Sequence, residues 1–233
     1  MVDPGDAAPV LAYLDRERLT LTAILATHHH NDHVGGITAL LERFKVPVFG
    51  PAREAIPGRT RGLSAGDRVN VPGFDIALET MDIPGHTSGH IACFGNIDAN
   101  PSLFCGDTLF AAGCGRLFEG TPEQMWSSLS SLASLPEATR VYCGHEYTLA
   151  NLRFALAVEP DNADVHARVK RESVKRERGE PTLPSTIGQE RRTNPFLRAP
   201  NPVVRAAAER HAGNALQDDV AVFAALRAWK DTF

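Results

Sequence analysis

Thr27-His28-His29-His30-Asn31-Asp32-His33 carries the strongest structural signal in this sequence. It follows Thr20–Ala26, a short apolar run that is typical of a buried strand. Functional side chains of α/β folds collect where strands end at one edge of a sheet. Alternate residues of an extended segment point the same way, so His28 and His30 can converge on one metal ion. Asp32 and His33 then turn toward a second ion.

Three more residues of the same chemical types, His86, Asp107 and His145, follow strand-like segments later in the chain. Imidazole and carboxylate ligands suit zinc, manganese or iron rather than calcium. An open catalytic site uses about three protein ligands and a water molecule, so seven ligands exceed the need of one ion. We therefore predict two divalent transition-metal ions, with zinc as the first candidate and iron or manganese as alternatives. The predicted ligands are His28, His30 and His86 for the first ion, Asp32, His33 and His145 for the second, and Asp107 as the bridge.

Asp32 and Asp107 are also the candidate catalytic carboxylates of this site. His29 and His90 are expected to form hydrogen bonds around the ligands rather than to bind metal themselves.

The remaining sequence predicts an α/β layered domain over residues 1–147 and a helical domain over residues 148–233. Strands are expected at 20–26, 47–50, 91–94, 103–105 and 141–143, with a hairpin over 69–80 around Pro72-Gly73. Helices are expected at 34–44, from the capping box Thr121-Pro122-Glu123-Gln124 onward, and at about 148–158, 162–178 and 219–231. Asp218 is expected to cap the last helix. The segment 181–202, rich in Pro, Thr and Asn, is expected to form an ordered connection.

Bulk properties exclude other classes of protein. The net charge of −4 gives no reason to expect binding to nucleic acid. No apolar run approaches the roughly 20 residues that a membrane-spanning helix requires. The first residues lack the basic and apolar segments of a secretory signal. We expect a cytoplasmic monomer that acts on a small molecule and binds neither nucleic acid nor membrane.

The motifs together resemble the metallo-β-lactamase superfamily. They are His28-x-His30-x-Asp32-His33, Gly85-His86-Thr87, Gly106-Asp107-Thr108 and Gly144-His145-Glu146-Tyr147. Within that superfamily the chain resembles glyoxalase II, the hydroxyacylglutathione hydrolase family, in the stretches 106–115, 143–147 and 184–198. The resemblance implies an αββα sandwich whose helical C-terminal domain binds the substrate.

The family resemblance also implies a reaction, the hydrolysis of S-(2-hydroxyacyl)glutathione, such as S-lactoylglutathione, to a 2-hydroxy acid and glutathione. Two metal ions would lower the pKa of a water molecule, and the resulting bridging hydroxide would attack the thioester carbonyl. A thiol with a pKa near ~8.5 leaves without a dedicated acid. The absence of a Gly-x-Ser-x-Gly motif agrees with this chemistry.

Five residues occupy the positions that bind substrate in the family's pattern: Arg116, Phe118, Tyr147, Arg227 and Lys230. Lysine is common in the family at the position of Arg116, and tyrosine is usual at that of Phe118, so Phe118 loses a hydroxyl contact. Arg227 and Lys230 are three residues apart, so we expect them on one face of the last helix, exposed to solvent.

The family pattern includes two β-strands before the segment that matches Val2-Asp3-Pro4-Gly5, where this sequence begins. We expect either a misassigned start codon or a sheet without that hairpin. Two other functions stay open, namely a glutathione persulfide dioxygenase with one iron and a non-catalytic metal-binding relative. A metal count and an oxygen-uptake assay separate the dioxygenase from the hydrolase, and the intact ligand set argues against the non-catalytic relative.

Overall fold

Two β-sheets pack face to face in the middle of the protein, and helices cover both outer faces. The computed structural model describes all 233 residues. The strands are β1 Ile24–Leu25, β2 Val48–Pro51, β3 Arg61–Leu63, β4 Arg68–Asn70, β5 Ala77–Asp82, β6 Ile91–Ile97, β7 Asn100–Gly106, β8 Leu109–Phe110, β9 Gly113–Cys114, β10 Arg140–Cys143 and β11 Ser185–Thr186. The helices are α1 Ala7–Glu17, α2 Asn31–Val34, α3 Ile37–Arg43, α4 Pro122–Ala133, α5 Thr148–Val158, α6 Ala163–Glu177, α7 Ile187–Thr193, α8 Pro202–Ala212 and α9 Asp219–Thr232.

The smaller sheet has the order β1-β2-β3 and is parallel, and Val2 extends it by a bridge to Leu25. The larger sheet has the order β11-β10-β7-β6-β5-β4. In this sheet only β10 and β7 run parallel, and the other neighbours are antiparallel. Strands β8 and β9 form a separate short hairpin.

The alternation of side chains along the strands explains the layers. In β6, Ile91 and Cys93 face the core between the two sheets, whereas Ala92 faces the helices on the other side. In β1, Leu25 joins the core between the sheets and Ile24 packs under α1 and α3. The predicted αββα sandwich is therefore present.

The helices after β10 share the largest core with the six-stranded sheet. This core of 21 buried residues includes Leu103 and Val141 of the sheet together with Phe154, Val204 and Phe223 of the helices. The C-terminal helices are thus fixed against the sheet by apolar packing. None of the helices is both long and apolar enough to cross a membrane.

Several predicted elements are confirmed. The hairpin around Pro72-Gly73 is the antiparallel pair β4–β5. Thr121 and Gln124 form the complete capping box of α4. Helices α5, α6 and α9 lie within one residue of their predicted limits, and the side chain of Asp218 caps α9.

Two predicted elements near the histidine-rich segment are wrong in extent. The strand expected at 20–26 is only Ile24–Leu25, because its partner β2 begins just after Pro47, which has no N–H to extend the ladder. The helix expected at 34–44 is divided at Gly35-Gly36. There the backbone of Gly36 donates a hydrogen bond to the Pro4 carbonyl, and a Cβ at Gly35 would lie 2.7 Å from the Gly5 carbonyl oxygen.

Three helices are absent from the sequence-based prediction. Helix α7 lies inside 181–202, so the expectation of a plain connection there is wrong. Helices α1 and α8 were not predicted either. Each of the three begins at a capping side chain, which is Asp6 for α1, Thr186 for α7 and Asn201 for α8.

Candidate metal centre and cleft

The seven predicted ligands lie together at one edge of the two sheets. The segment 28–33 follows β1, His86 lies between β5 and β6, Asp107 follows β7, and His145 follows β10. Four separate strand ends therefore deliver these side chains to one place, as the sequence pattern predicted.

The ligand atoms of His28, His30 and His86 all lie within 4.8 Å of one another. Nδ1 of His30 is 3.0 Å from Nε2 of His86. Nε2 of His28 is buried and has no hydrogen-bond partner. A buried nitrogen without a partner is costly unless something else binds it, so this trio fits a metal ion.

The ligand atoms of Asp32, His33 and His145 form a second trio within the same limit of 4.8 Å. Nε2 of His145 is 3.2 Å from the Asp32 carboxylate. Asp107 lies between the two trios, since its carboxylate is 3.2 Å from Nε2 of His33, 3.3 Å from that of His145 and 3.6 Å from that of His86. This placement suits a bridging carboxylate.

Three of the histidines have Nδ1 held by the protein, which leaves Nε2 for an ion. Nδ1 of His33 is 3.0 Å from the Asp3 carboxylate, and that of His86 is 2.9 Å from the Arg116 carbonyl. Nδ1 of His28 is 3.1 Å from the Thr27 hydroxyl. Such partners fix the ring orientation and tautomer of metal-binding histidines.

Gly144 makes room for this arrangement. A Cβ at this position would overlap the Asp107 carboxylate and the ring of His33. The glycine of the Gly-His motif therefore lets the backbone approach the proposed bridge closely.

The two trios differ in electrostatics. Burial lowers the pKa of His28 and His86, so both rings are neutral at pH 7 and ready to ligate. Burial also opposes protonation of His33, but hydrogen bonds to Asp107 and Asp3 outweigh it and raise its pKa to about 10. The hydrogen bond to Asp107 raises the pKa of His145. Burial favours the neutral acid form of Asp107, yet these two imidazoles hold its pKa well below the usual range.

His29 and His90 form the hydrogen bonds predicted for them. His29 lies 3.0 Å from the Glu54 carboxylate and 3.2 Å from that of Glu119. His90 accepts a hydrogen bond from the Asp107 backbone N–H and stacks on His28. Burial lowers the pKa of His90 to about 3, so it is a neutral acceptor.

Comparisons with known proteins divide the chain into two matched regions. Residues 1–145 match the model of the metallo-β-lactamase superfamily, and residues 146–233 match that of the hydroxyacylglutathione hydrolase C-terminus. The hydroxyacylglutathione hydrolase of Alkalilimnicola ehrlichii is 59% identical over 231 residues, which are 99% of this chain and 89% of that protein. The chain belongs to the hydroxyacylglutathione hydrolase family. The predictions of family, fold class and hydrolase are confirmed.

Two further similarities support this family assignment. The hydroxyacylglutathione hydrolase of Nitrosomonas europaea is 52% identical over 233 residues, which cover 100% of this chain and 87% of that protein. TTHA1623, solved in a di-iron-bound form, is 30% identical with a TM-score of 0.57, covering 84% of this chain and 87% of that one. Binding of divalent metal ions is thus supported for the fold, whereas the metal of this family member stays a prediction.

A cleft of about 670 Å³ opens over the histidines and contains all five positions predicted to bind substrate. Its lining residues are His30, Asp32, His86, Asp107, Phe110, Cys114, Arg116, Phe118, His145, Tyr147, Ala150, Asn151, Arg227 and Lys230. Phe118 meets the rings of His30 and His86 edge-on, and Tyr147 stacks on His145. The metal-facing floor is therefore bordered by two exposed aromatic rings.

The two C-terminal cations of the cleft have different surroundings. The solvent exposure predicted for Arg227 is wrong, because it is 7% exposed and donates hydrogen bonds to the Cys114 carbonyl and to Asp231. Lys230 makes no hydrogen bond or ion pair and lies near the rings of Phe154 and Phe233. Partial burial and then the nearby charges of arginines lower the pKa of Lys230.

Sequence reasoning missed two carboxylates that support the histidines. Asp3 accepts hydrogen bonds from the backbone and hydroxyl of Thr27 as well as from His33. Glu54 accepts hydrogen bonds from the Gly89 backbone and from Thr87 and also contacts His29. Their positions in the sequence show no metal-ligand spacing, so only the fold reveals them.

Proposed function

We propose that this protein is a dinuclear-metal thioesterase that hydrolyses S-(2-hydroxyacyl)glutathione, such as S-lactoylglutathione, to a 2-hydroxy acid and glutathione. The observation that carries the proposal is a cleft lined by two kinds of side chain. Histidines and aspartates of the candidate metal centre line it together with the cations Arg116, Arg227 and Lys230, of which Lys230 is unpaired. A ligand with a reactive carbonyl at one end and carboxylates at the other, as in an acylglutathione, matches both.

The proposed ligands are His28, His30 and His86 for one ion, Asp32, His33 and His145 for the other, and Asp107 as the bridge. Zinc is the first candidate, with iron or manganese as alternatives, because His and Asp ligands accept all three. Two such ions supply an activated water at neutral pH and polarise the carbonyl. The protein's own residues hold the imidazoles in the required tautomers through Asp3, Arg116 and Thr27.

The cleft offers no activated thiol nucleophile that would compete with a metal-bound water. Cys114 is its only lining thiol, and burial raises the pKa of Cys114 to about 11. It is therefore protonated at neutral pH and a poor nucleophile. The leaving thiol of the substrate has a pKa near ~8.5, so it departs as a thiolate without a dedicated acid.

Substrate recognition is proposed for Arg116, Phe118, Tyr147, Arg227 and Lys230. Residues 1–147 would then form the catalytic domain, and 148–233 the domain that supplies most of the contacts to glutathione. Arg227 acts partly through the Cys114 carbonyl that it binds, whereas Lys230 has no competing partner. Lys230 is therefore the cleaner residue to test.

The test compares two thioesters on the metal-loaded protein. Lys230→Ala should raise KM for S-lactoylglutathione roughly 10-fold, since a hydrogen bond to a charged group is worth about 1.5–3 kcal/mol and partial exposure weakens it. It should leave metal content and hydrolysis of a small thioester without the peptide unchanged. Lys170→Ala, an exposed lysine on α6, is the matched control and should behave like the parent.

Three results would contradict the proposal. If Lys230→Ala slowed both thioesters equally, or the parent preferred the small one, the glutathione assignment would be wrong. Oxygen uptake with a single iron would identify the persulfide dioxygenase instead. Metal binding without turnover of any thioester would indicate a non-catalytic relative. The cytoplasmic location and the monomeric state stay predictions.

A further inference from the structure

The hairpin β8–β9 forms one wall of the cleft, and its backbone is held by side chains from the C-terminal helices. Asn194 donates to the carbonyls of Phe110 and Gly113, at 3.3 Å and 2.9 Å. Asn151 donates to the Ala111 carbonyl at 3.1 Å, and Glu190 accepts from the Ala112 N–H at 2.7 Å. The three side chains Asn151, Glu190 and Asn194, here called the hairpin clamp, thus bind a backbone group of each residue of the turn.

The hairpin clamp is itself buried and fixed. Glu190 and Asn194 are fully buried, and Asn194 also donates to the second oxygen of Glu190 at 3.1 Å. The other oxygen of Glu190 accepts from Arg168 at 2.7 Å and from Ser185. Arg168 is buried as well and also donates to Thr193. Both oxygens of Glu190 and the amide of Asn194 therefore have defined partners, which makes the network rigid.

The turn needs such support because its conformation is unfavourable without it. Ala112 has a φ of +56°, a region that residues with a Cβ rarely adopt. At Gly113 a Cβ would overlap the amide of Asn151, so only glycine permits this close approach. The surrounding side chains therefore determine the backbone path between Phe110 and Cys114.

This path matters because the hairpin contacts both the metal-binding side chains and a candidate substrate-binding cation. It begins two residues after Asp107, the proposed bridging ligand. The ring of Phe110 contacts those of His145 and Tyr147, at centroid distances of 6.1 Å and 5.4 Å. At the last residue of β9, the Cys114 carbonyl accepts the hydrogen bond from Arg227.

We infer that Glu190 and Asn194 are positioning residues that set the cleft wall, and through it the seating of the glutathione part of the substrate. The expected effect on KM rests on the proposed function, whereas the expected effect on the rigidity of the hairpin does not. Neither residue lines the cleft, so both act through the hairpin rather than by touching substrate.

The chain offers a matched control for ordinary destabilisation. Glu159 is buried and pairs with Arg198 through two hydrogen bonds, of 2.7 Å and 2.8 Å, in the same helical region. This pair makes no hydrogen bond to the hairpin. Glu159→Gln should therefore weaken a buried ion pair without moving the cleft wall.

The first measurement is amide hydrogen exchange over residues 109–114 of the metal-loaded protein. Asn194→Ala should speed exchange in this segment on the order of 10-fold or more, while Glu159→Gln should leave it as in the parent. Unchanged exchange in Asn194→Ala would overturn the inference, whatever the substrate. If Asn194→Ala does not fold, Asn194→Ser replaces it, because the serine hydroxyl can still accept from the Phe196 N–H but is too short to reach both the Phe110 and Gly113 carbonyls. The same faster exchange over residues 109–114 is expected.

The second measurement is the kinetic split on S-lactoylglutathione. Asn194→Ala should raise KM on the order of 10-fold with kcat and metal content nearly unchanged, because the wall and not the ions is displaced. A small thioester should be hydrolysed as by the parent. Equal effects of Asn194→Ala and Glu159→Gln on KM would overturn the positioning role. A parent that does not hydrolyse S-lactoylglutathione would refute the proposed function, and the exchange result would still decide the hairpin clamp.

Discussion

Asp3→Asn changes the chemistry around His33 while preserving its shape. In the parent, one carboxylate oxygen of Asp3 accepts from the Thr27 N–H at 2.7 Å. The other accepts from the Thr27 hydroxyl at 2.7 Å and from Nδ1 of His33 at 3.0 Å. In the variant, the amide oxygen can still accept from the Thr27 backbone. The amide NH₂ then faces Nδ1 of His33, so that nitrogen has to become an acceptor.

The consequence is the wrong tautomer for metal binding. If Nδ1 of His33 accepts a hydrogen bond, the ring proton of the neutral form lies on Nε2, the atom 3.2 Å from Asp107. Loss of a partner that orients a ligand typically costs 10- to 100-fold in metal affinity, or about 1.4–2.7 kcal/mol. We expect the larger loss at the second ion, because Asp3 contacts the second-ion ligand His33 directly and reaches His28 only through the Thr27 hydroxyl.

The assay is a metal titration with elemental analysis after dialysis against a series of free zinc concentrations. The parent should retain two ions where Asp3→Asn retains one, and the first binding step should be weakened less than the second. Asp6→Asn is the control, because asparagine caps helix α1 as well as aspartate does and Asp6 makes no contact with the histidines. Equal weakening of both steps, or two tightly held ions in the variant, would refute the tautomer argument.

Four other predictions follow from the same geometry. Because the pKa of His33 is raised to about 10, its ring is protonated at pH 7 without metal, and the pKa of His145 is raised as well. Loading the second ion should therefore release protons, measurable by calorimetry in buffers of different ionisation enthalpy, and the affinity for this ion should rise with pH. For the same reason the metal-free protein should lose stability as pH rises through about 10, where the proton of His33 and its attraction to the carboxylates are lost, as a pH series of melting temperatures would show. Gly144→Ala should lower the bound metal content, by overlap with Asp107 and His33, in the same elemental analysis. Glu54→Ala should destabilise by roughly 2–4 kcal/mol in urea unfolding, because the Gly89 N–H and the Thr87 hydroxyl lose their acceptor.

The clustering of the candidate metal ligands was predictable from sequence because its signal is local. His28, His30, Asp32 and His33 lie within six residues after an apolar strand. The more distant members follow β5, β7 and β10. These strands end at the same sheet edge, because β5 and β7 are both antiparallel to β6 and β10 is parallel to β7. The grouping into two trios and a bridge then required only the number of ligands that one ion accepts.

The supporting residues were not predictable, because their role depends on partners far away in the sequence. Asp3 and His33 are 30 residues apart, and Glu54 and Gly89 are 35 apart. Arg227 had the right residue type for a cation at the cleft, yet its contact with Cys114 across 113 residues decides that it is buried. Helix periodicity places a side chain on a face but does not tell what covers that face.

The segment 184–198, one of the stretches that resemble the hydroxyacylglutathione hydrolase family, contains Glu190 and Asn194, whose side chains hold the hairpin β8–β9. In this segment Glu190 forms an ion pair with the buried Arg168. A buried ion pair is by itself weak evidence for stability, because apolar residues of similar volume can often replace such a pair without loss of folding stability. Such a replacement would leave the Ala112 N–H without an acceptor and Asn194 without one of its partners. The presence of Glu190 is therefore better explained by the hydrogen bonds that its second oxygen accepts from Ala112 and Asn194 than by the stability of its ion pair with Arg168. On this view the helical region does more than carry the candidate substrate-binding cations, because it also fixes the segment that leads away from Asp107.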